Sequence, residues 1–275
     1  LDPEALKQLP TTARERDWRF RAAVKDREAV AFLPQDASPL GLAVDVGTTK
    51  VAAYLVDLET GETLGASGGM NPQITYGEDV MARISFTMQG DGRAALLHEA
   101  ILREIEARAR DLCARSGRVP SEILEVVLVG NTCMHHLALD LPVAQLGVAP
   151  YVPALSSACD IKARDLGLSF MAAGATVHVL PNVAGFVGGD HVAMILATGM
   201  HETRSVTLGL DIGTNTEISL AAEGRLCSCS CASGPAFEGA HIHDGMRAAP
   251  GAIEWVRLEA RGQAPSPADV ACQTI

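Results

Sequence analysis

The chain has 275 residues, 48% of them hydrophobic and 20% charged, which provides for one large core or two linked ones and excludes a disordered polypeptide. A net charge of -11 and a pI near 5.1 exclude a nucleic-acid footprint, which needs clustered Lys and Arg. The richest apolar stretch, Val183 to Met200, is broken by Asp190 and His191, so no run reaches the ~18 residues a spanning helix needs and no membrane partner is expected.

Residue 1 is Leu, and no basic start leads into an apolar segment, which reads as a cut through a longer polypeptide rather than a signal peptide. Residues 1–40 are charged and interrupted by Pro10, Pro34 and Pro39, with alternating stretches near Trp18 to Val24 and Ala29 to Leu33. They read as the tail of a small domain plus a linker.

At Gly41 the texture changes. Leu42-Ala43-Val44 runs into Asp45-Val46-Gly47-Thr48-Thr49, then Val51 to Val56, then the turn Glu59-Thr60-Gly61-Glu62. This predicts strand, tight turn and strand. From Ala94 to Arg115 an apolar stripe of Leu97, Ile101, Ile105, Ala109 and Leu112 opposes charges and ends at Gly117 and Pro120, which predicts an amphipathic helix. Val126 to Val129 and Val177 to Leu180 read as buried strands, each followed by a helical pattern. Strands feeding helices predict a parallel, layered α/β sheet.

Seven cysteines in a chain with no secretory signal fit reduced thiols and a cytoplasmic location. On a strand, Cys227, Cys229 and Cys231 would share one face, where a soft metal or simple packing are the alternatives. Single-residue spacing leaves a loop too short to wrap an ion, which favours packing.

The string Leu42 to Thr49 is echoed 166 residues later by Leu208-Gly209-Leu210-Asp211-Ile212-Gly213-Thr214-Asn215. The echo leads into a second strand, Glu217 to Leu220, so a whole lobe is duplicated. An Asp-x-Gly-Thr turn places a carboxylate at a strand end, and its amides and hydroxyls can face an anion. One such turn is ordinary turn chemistry. Two facing each other can hold the phosphates of a nucleotide, through Gly47, Thr48, Thr49 and Lys50 on one side and Gly213, Thr214 and Asn215 on the other. Asp45 and Asp211 would hold Mg²⁺ through its waters, with turn capping as the plainer alternative. Neither a P-loop nor a dinucleotide fingerprint occurs in the chain.

The paired turns resemble the phosphate motifs of the superfamily of acetate and sugar kinases, heat-shock chaperone ATPases and actin. More specific are Asn71-Pro72-Gln73 with Tyr76-Gly77, Gly130-Asn131-Thr132-Cys133-Met134-His135-His136-Leu137, Pro181-Asn182 through Gly188-Gly189-Asp190, and Gly234 to Ala240. Together these resemble the ATPase portion of the reductive activators of corrinoid proteins, from about Gly41 to near Arg257. The family pattern departs at Lys50, where a third Thr is usual, and at Thr216, where Gly is usual.

The resemblance implies an actin-like α/β ATPase with ribonuclease-H-like lobes. The expected division is 1–40 as the end of a small middle domain, 41–204 as a first lobe and 205–275 as the incomplete start of a second. It implies ATP and Mg²⁺ as ligands, a corrinoid protein as partner, and reduction of cob(II)alamin to cob(I)alamin with an electron from a [2Fe-2S] domain missing upstream. An incomplete second lobe would expose apolar edges, which leaves homodimerisation open. Asp190 is a candidate base for the attacking water, against a helix-surface charge. Glu238 is a candidate contact for Mg²⁺ or water, against a turn-stabilising carboxylate. Adjacent His135 and His136 point in different directions on a helix and suit packing or capping, and His241 and His243 with Asp244 are expected to be plain polar residues. Two rivals remain: a small-molecule kinase of the same fold, and a nucleotide switch without catalysis.

Overall fold

A computed structural model describes residues 1–234, 243–246, 251–258 and 270–274. Helix α1 (Pro3–Glu15) begins at Asp2, whose carboxylate accepts from the amides of Glu4 and Ala5, and continues through Pro10. A hairpin follows, made of β1 (Arg21–Lys25) and β2 (Glu28–Leu33). The helix was not expected from the sequence, where Pro10 reads as a breaker. Its compensation is remote in the chain. Arg164 Nη1 donates to both Asp2 oxygens at 2.9 Å, and Lys162 Nζ lies 3.1 Å away. Burial alone would raise the Asp2 pKa, but hydrogen bonds from Arg164, Ala5 and Lys162 outweigh it and hold the carboxyl at about 2.

Next come β3 (Leu40–Val46), β4 (Lys50–Asp57) and β5 (Thr63–Met70), then α2 (Val80–Thr87) and α3 (Arg93–Ser116). They lead to β6 (Ile123–Gly130), α4 (Thr132–Ala138), β7 (Cys159–Lys162) and β8 (Thr176–Val179). The six strands form one sheet in the order β5-β4-β3-β6-β8-β7. Strands β3, β6 and β8 are parallel, whereas β4, β5 and β7 run antiparallel to their neighbours. The sheet is therefore mixed rather than parallel, because β3 to β5 are joined by short turns and a parallel pair needs a long crossover. This mixed α/β sheet fits an actin-like ATPase lobe.

Helix α3 packs on β4 and β5, with Leu97, Ile101, Ile105, Ala109 and Leu112 buried against Val44, Val51, Ala53 and Leu55. Gly117 closes it in the left-handed conformation, at φ 67°. Helix α5 (Gly189–Thr198) packs on β6 and touches the next strand, β9 (Thr207–Ile212). With β10 (Asn215–Ala222) and β11 (Arg225–Ala232), β9 forms a three-stranded antiparallel sheet. Strands β12 (Ile253–Leu258) and β13 (Val270–Thr274) form a further hairpin.

The register of the second sheet aligns Leu208, Leu220 and Cys227, then Leu210, Ile218 and Cys229, then Ile212, Thr216 and Cys231. Directly opposed residues share a face, so the three cysteines lie together with an apolar row. All three are exposed among the described residues, while Thr216 on the same face is buried. No helix among the described residues is long and apolar enough to cross a membrane.

Candidate functional site

Parallel pairing aligns Asp45 with Val129 and Val46 with Gly130, so β3, β6 and β8 all end at one edge of the sheet. The carboxyl ends of parallel strands are where open α/β sheets bind ligands. There β3 reverses through Gly47, Thr48 and Thr49 into Lys50, the exposed first residue of β4. Gly47 is needed for space rather than for a positive φ: a Cβ there would stand 2.7 Å from the Lys50 carbonyl oxygen. The turn is tied from behind. Asn71 Nδ2 donates to Gly47 O at 2.8 Å and Asn71 N to Thr49 O at 2.8 Å. Arg83 Nη2 donates to Thr48 O at 2.5 Å. Asn131 caps α4 by accepting from Met134 N and donates Nδ2 to Thr48 Oγ1 at 2.9 Å.

The second turn joins β9 to β10. Gly213 N donates to Asn215 O at 3.0 Å, and Thr214 O accepts from Ser233 N and Gly234 N at 3.2 and 2.9 Å. The two turns meet: Thr49 Oγ1 and Thr214 Oγ1 are 3.2 Å apart. All seven residues expected to bind phosphate therefore lie on two facing turns.

Around this meeting point four carboxylates crowd. Asp45 faces solvent through the open side of the site but is walled by protein, and that partial burial, with the charge of Asp211, pushes its pKa up to about 6. Asp190, in the first turn of α5, is pushed up to about 7 by burial. A hydrogen bond from His191 N at 2.8 Å opposes the rise, while the charges of Asp45, Glu217 and Asp211 add to it. Glu217 is also raised, mainly by burial, although Ser230 Oγ donates to it at 2.9 Å. Sequence reasoning missed Glu217. Its signal was the hairpin register, which sets it directly opposite Asp211. Arg83 was missed as well, since its partners, two backbone oxygens and the side chains of Gln73 and Met134, are scattered in sequence. Glu238 and His241 lie outside the described residues.

His191 ties α5 to the second sheet, with Nε2 and Ser219 Oγ 2.6 Å apart and Ser219 Oγ 2.6 Å from Ser228 Oγ. His135 and His136 are buried, as a packing or capping role predicts. His136 Nδ1 lies 2.7 Å from Thr132 O, while its Nε2 accepts from Ala154 N at 2.9 Å. Among the described residues, no three His, Cys, Asp or Glu side chains converge to hold a metal ion directly.

Comparison with known proteins adds a family. Residues 40–203 match a model described as the RACo middle region, and residues 205–274 match the C-terminal domain of RACo, the ASKHA domain. The corrinoid activation enzyme RamQ of Eubacterium limosum is 34% identical over 244 residues, which cover 88% of this chain and 41% of RamQ. A Methanosarcina barkeri protein named as a reductase of the Co(II) methylated amine-specific corrinoid protein is 30% identical, over 80% of this chain and 41% of its own length. The solved structure of a reductive activator for a corrinoid, iron-sulfur protein superposes with a TM-score of 0.83 at 36% identity, covering 99% of this chain and 44% of that one. The chain thus spans less than half the length of these relatives.

Proposed function

The chain belongs to the RACo family, and from that premise we propose that it is the nucleotide-driven portion of an ATP-dependent reductive activator of a corrinoid methyl-transfer protein. The observation that carries the proposal is the meeting of Thr49 and Thr214, which brings two copies of one turn face to face from 165 residues apart. Residues 41–204 and 205–275 then act as two lobes, preceded by 1–40, with the phosphates of ATP between Gly47 to Lys50 and Gly213 to Asn215.

The donor set fits Mg²⁺: it is all oxygen, and crowded carboxylates with raised pKa values are what a divalent cation relieves. Asp45 and Asp211 would hold the ion through its waters, and when bound it supplies neutralisation of phosphate charge. Asp190, with a pKa near neutrality, suits a base that takes the proton of the attacking water as ADP leaves. His191 fixes the start of α5, and so the position of Asp190, against Ser219 in the second sheet.

Nucleotide that favours one arrangement of the lobes can favour the complex with one cobalt state, which is coupling by differential binding. The electron that takes cob(II)alamin to cob(I)alamin would come from a [2Fe-2S] centre in another domain. The test mixes full-length protein, a low-potential reductant and the Co(II) form of the corrinoid protein, and follows the Co(I) absorbance band. The band should grow with Mg-ATP and stay near background with a non-hydrolysable analogue or with Asp190→Asn. Growth that ignores nucleotide would rule the proposal out.

A further inference from the structure

Arg83, on α2, has a fully buried side chain, and its buried partners are neutral. Nη2 donates to Thr48 O at 2.5 Å, Nε to Gly77 O at 3.0 Å, and Nη1 to Gln73 Oε1 at 3.2 Å with Met134 Sδ 3.0 Å away. Among the described residues its hydrogen-bond partners include no carboxylate, and Asp79 acts on it only through its charge. Burial lowers its pKa to about 10, while the charge of the Asp79 carboxylate opposes the fall, so the guanidinium remains cationic at neutral pH. A buried cation is costly unless an anion compensates it.

The direction of the turn's carbonyls says where that anion would sit. Three consecutive oxygens, those of Gly47, Thr48 and Thr49, are drawn to the Asn71 and Arg83 side. In a planar trans peptide the N–H points opposite to the C=O, so the amides of Thr48, Thr49 and Lys50 are turned the other way. The peptide between Thr48 and Thr49 has a cation at its oxygen end. That charge polarises the bond and strengthens the Thr49 N–H as a donor.

We propose that Arg83 is the positioning residue of the first phosphate turn, holding the Thr48 carbonyl back and placing a fixed positive charge one peptide behind the amide that meets phosphate. The proposal rests on the nucleotide reading of that turn. It also accounts for two of the long sequence strings: the first supplies Asn71, Gln73 and Gly77, and the second supplies Asn131 and Met134. A Cβ on Gly77 would come 2.8 Å from Arg83 N, so this string is also shaped to let α2 approach.

The test measures ATP and adenosine binding to full-length protein, by displacement of a fluorescent nucleotide, for wild type, Arg83→Met and Arg83→Lys. Arg83→Met should weaken ATP roughly tenfold to a hundredfold, the value of hydrogen bonds from a charged donor, and leave adenosine unchanged. Arg83→Lys keeps the charge without the fork and should fall between. A purely structural role would lower ATP and adenosine together, or lower the melting temperature with the ATP to adenosine ratio intact, and either result overturns the proposal. If Arg83→Met does not fold, Arg83→Lys decides: selective loss of ATP supports the role and an unchanged ratio rejects it. Wild type that binds no ATP rejects the nucleotide reading itself, and this proposal with it.

Discussion

Gly188 shows at the scale of one residue how closely the site is built: a Cβ there would run into Gly130 O and Asn131 Cα, the start of the segment that tethers Thr48. Gly188→Ala should lower stability by about 1–3 kcal/mol, the usual cost of overpacking, as read from chemical denaturation. Asp190 permits a pH prediction with a definite sign. Its folded pKa of about 7 lies above the ordinary 3.8, so the protonated form is preferred in the fold. Its contribution to stability is full below pH ~3.8 and is lost as pH rises through ~7. Asp190→Asn should therefore raise the nucleotide-free melting temperature most at pH 8, less at pH 5, and little below pH ~3.8. Asp45 and Asp211 could be found in the sequence because the turn is repeated and each copy marks the other. The tethering roles of Arg83 and Asn71 could not, because they are exerted on carbonyl oxygens of the turn, which leave no trace in residue identity.

Among the elements, α3 was legible almost to its ends, since Leu97, Ile101, Ile105, Ala109 and Leu112 recur at helical spacing and Gly117 supplies the left-handed stop. Ile105 is fully buried between that helix and the sheet. Ile105→Ala should cost ~2–5 kcal/mol without changing nucleotide affinity in the protein that remains folded. Helix α1 was hidden because Pro10 argues against a helix and the support for it comes from Arg164 and Lys162. Asp2→Ala removes both the cap and the centre of that cluster. It should cost at least the ~1 kcal/mol of a lost cap and should expose α1 and β2 to proteolysis, seen as early cleavage within residues 1–33. Strand β7 has only four residues on the sheet edge, too few for alternation to register, so it too went unseen.

For the whole molecule, the informative signal was long-range: two matched strings whose separation implied two lobes and whose chemistry implied a site between them. Local periodicity could not say that the sheet is mixed, nor that α5 would anchor to Ser219 through His191. Family membership places residues 40–203 and 205–274 in the two matched RACo regions, and the site lies where those regions touch. The most direct measurement of the central claim is calorimetric titration of Mg-ATP into the full-length protein and its Asp45→Ala and Asp211→Ala variants. Nucleotide held between the two turns predicts that both variants, though far apart in sequence, lose affinity by roughly tenfold or more. A folded wild type that binds ATP no more tightly than either variant would contradict the account.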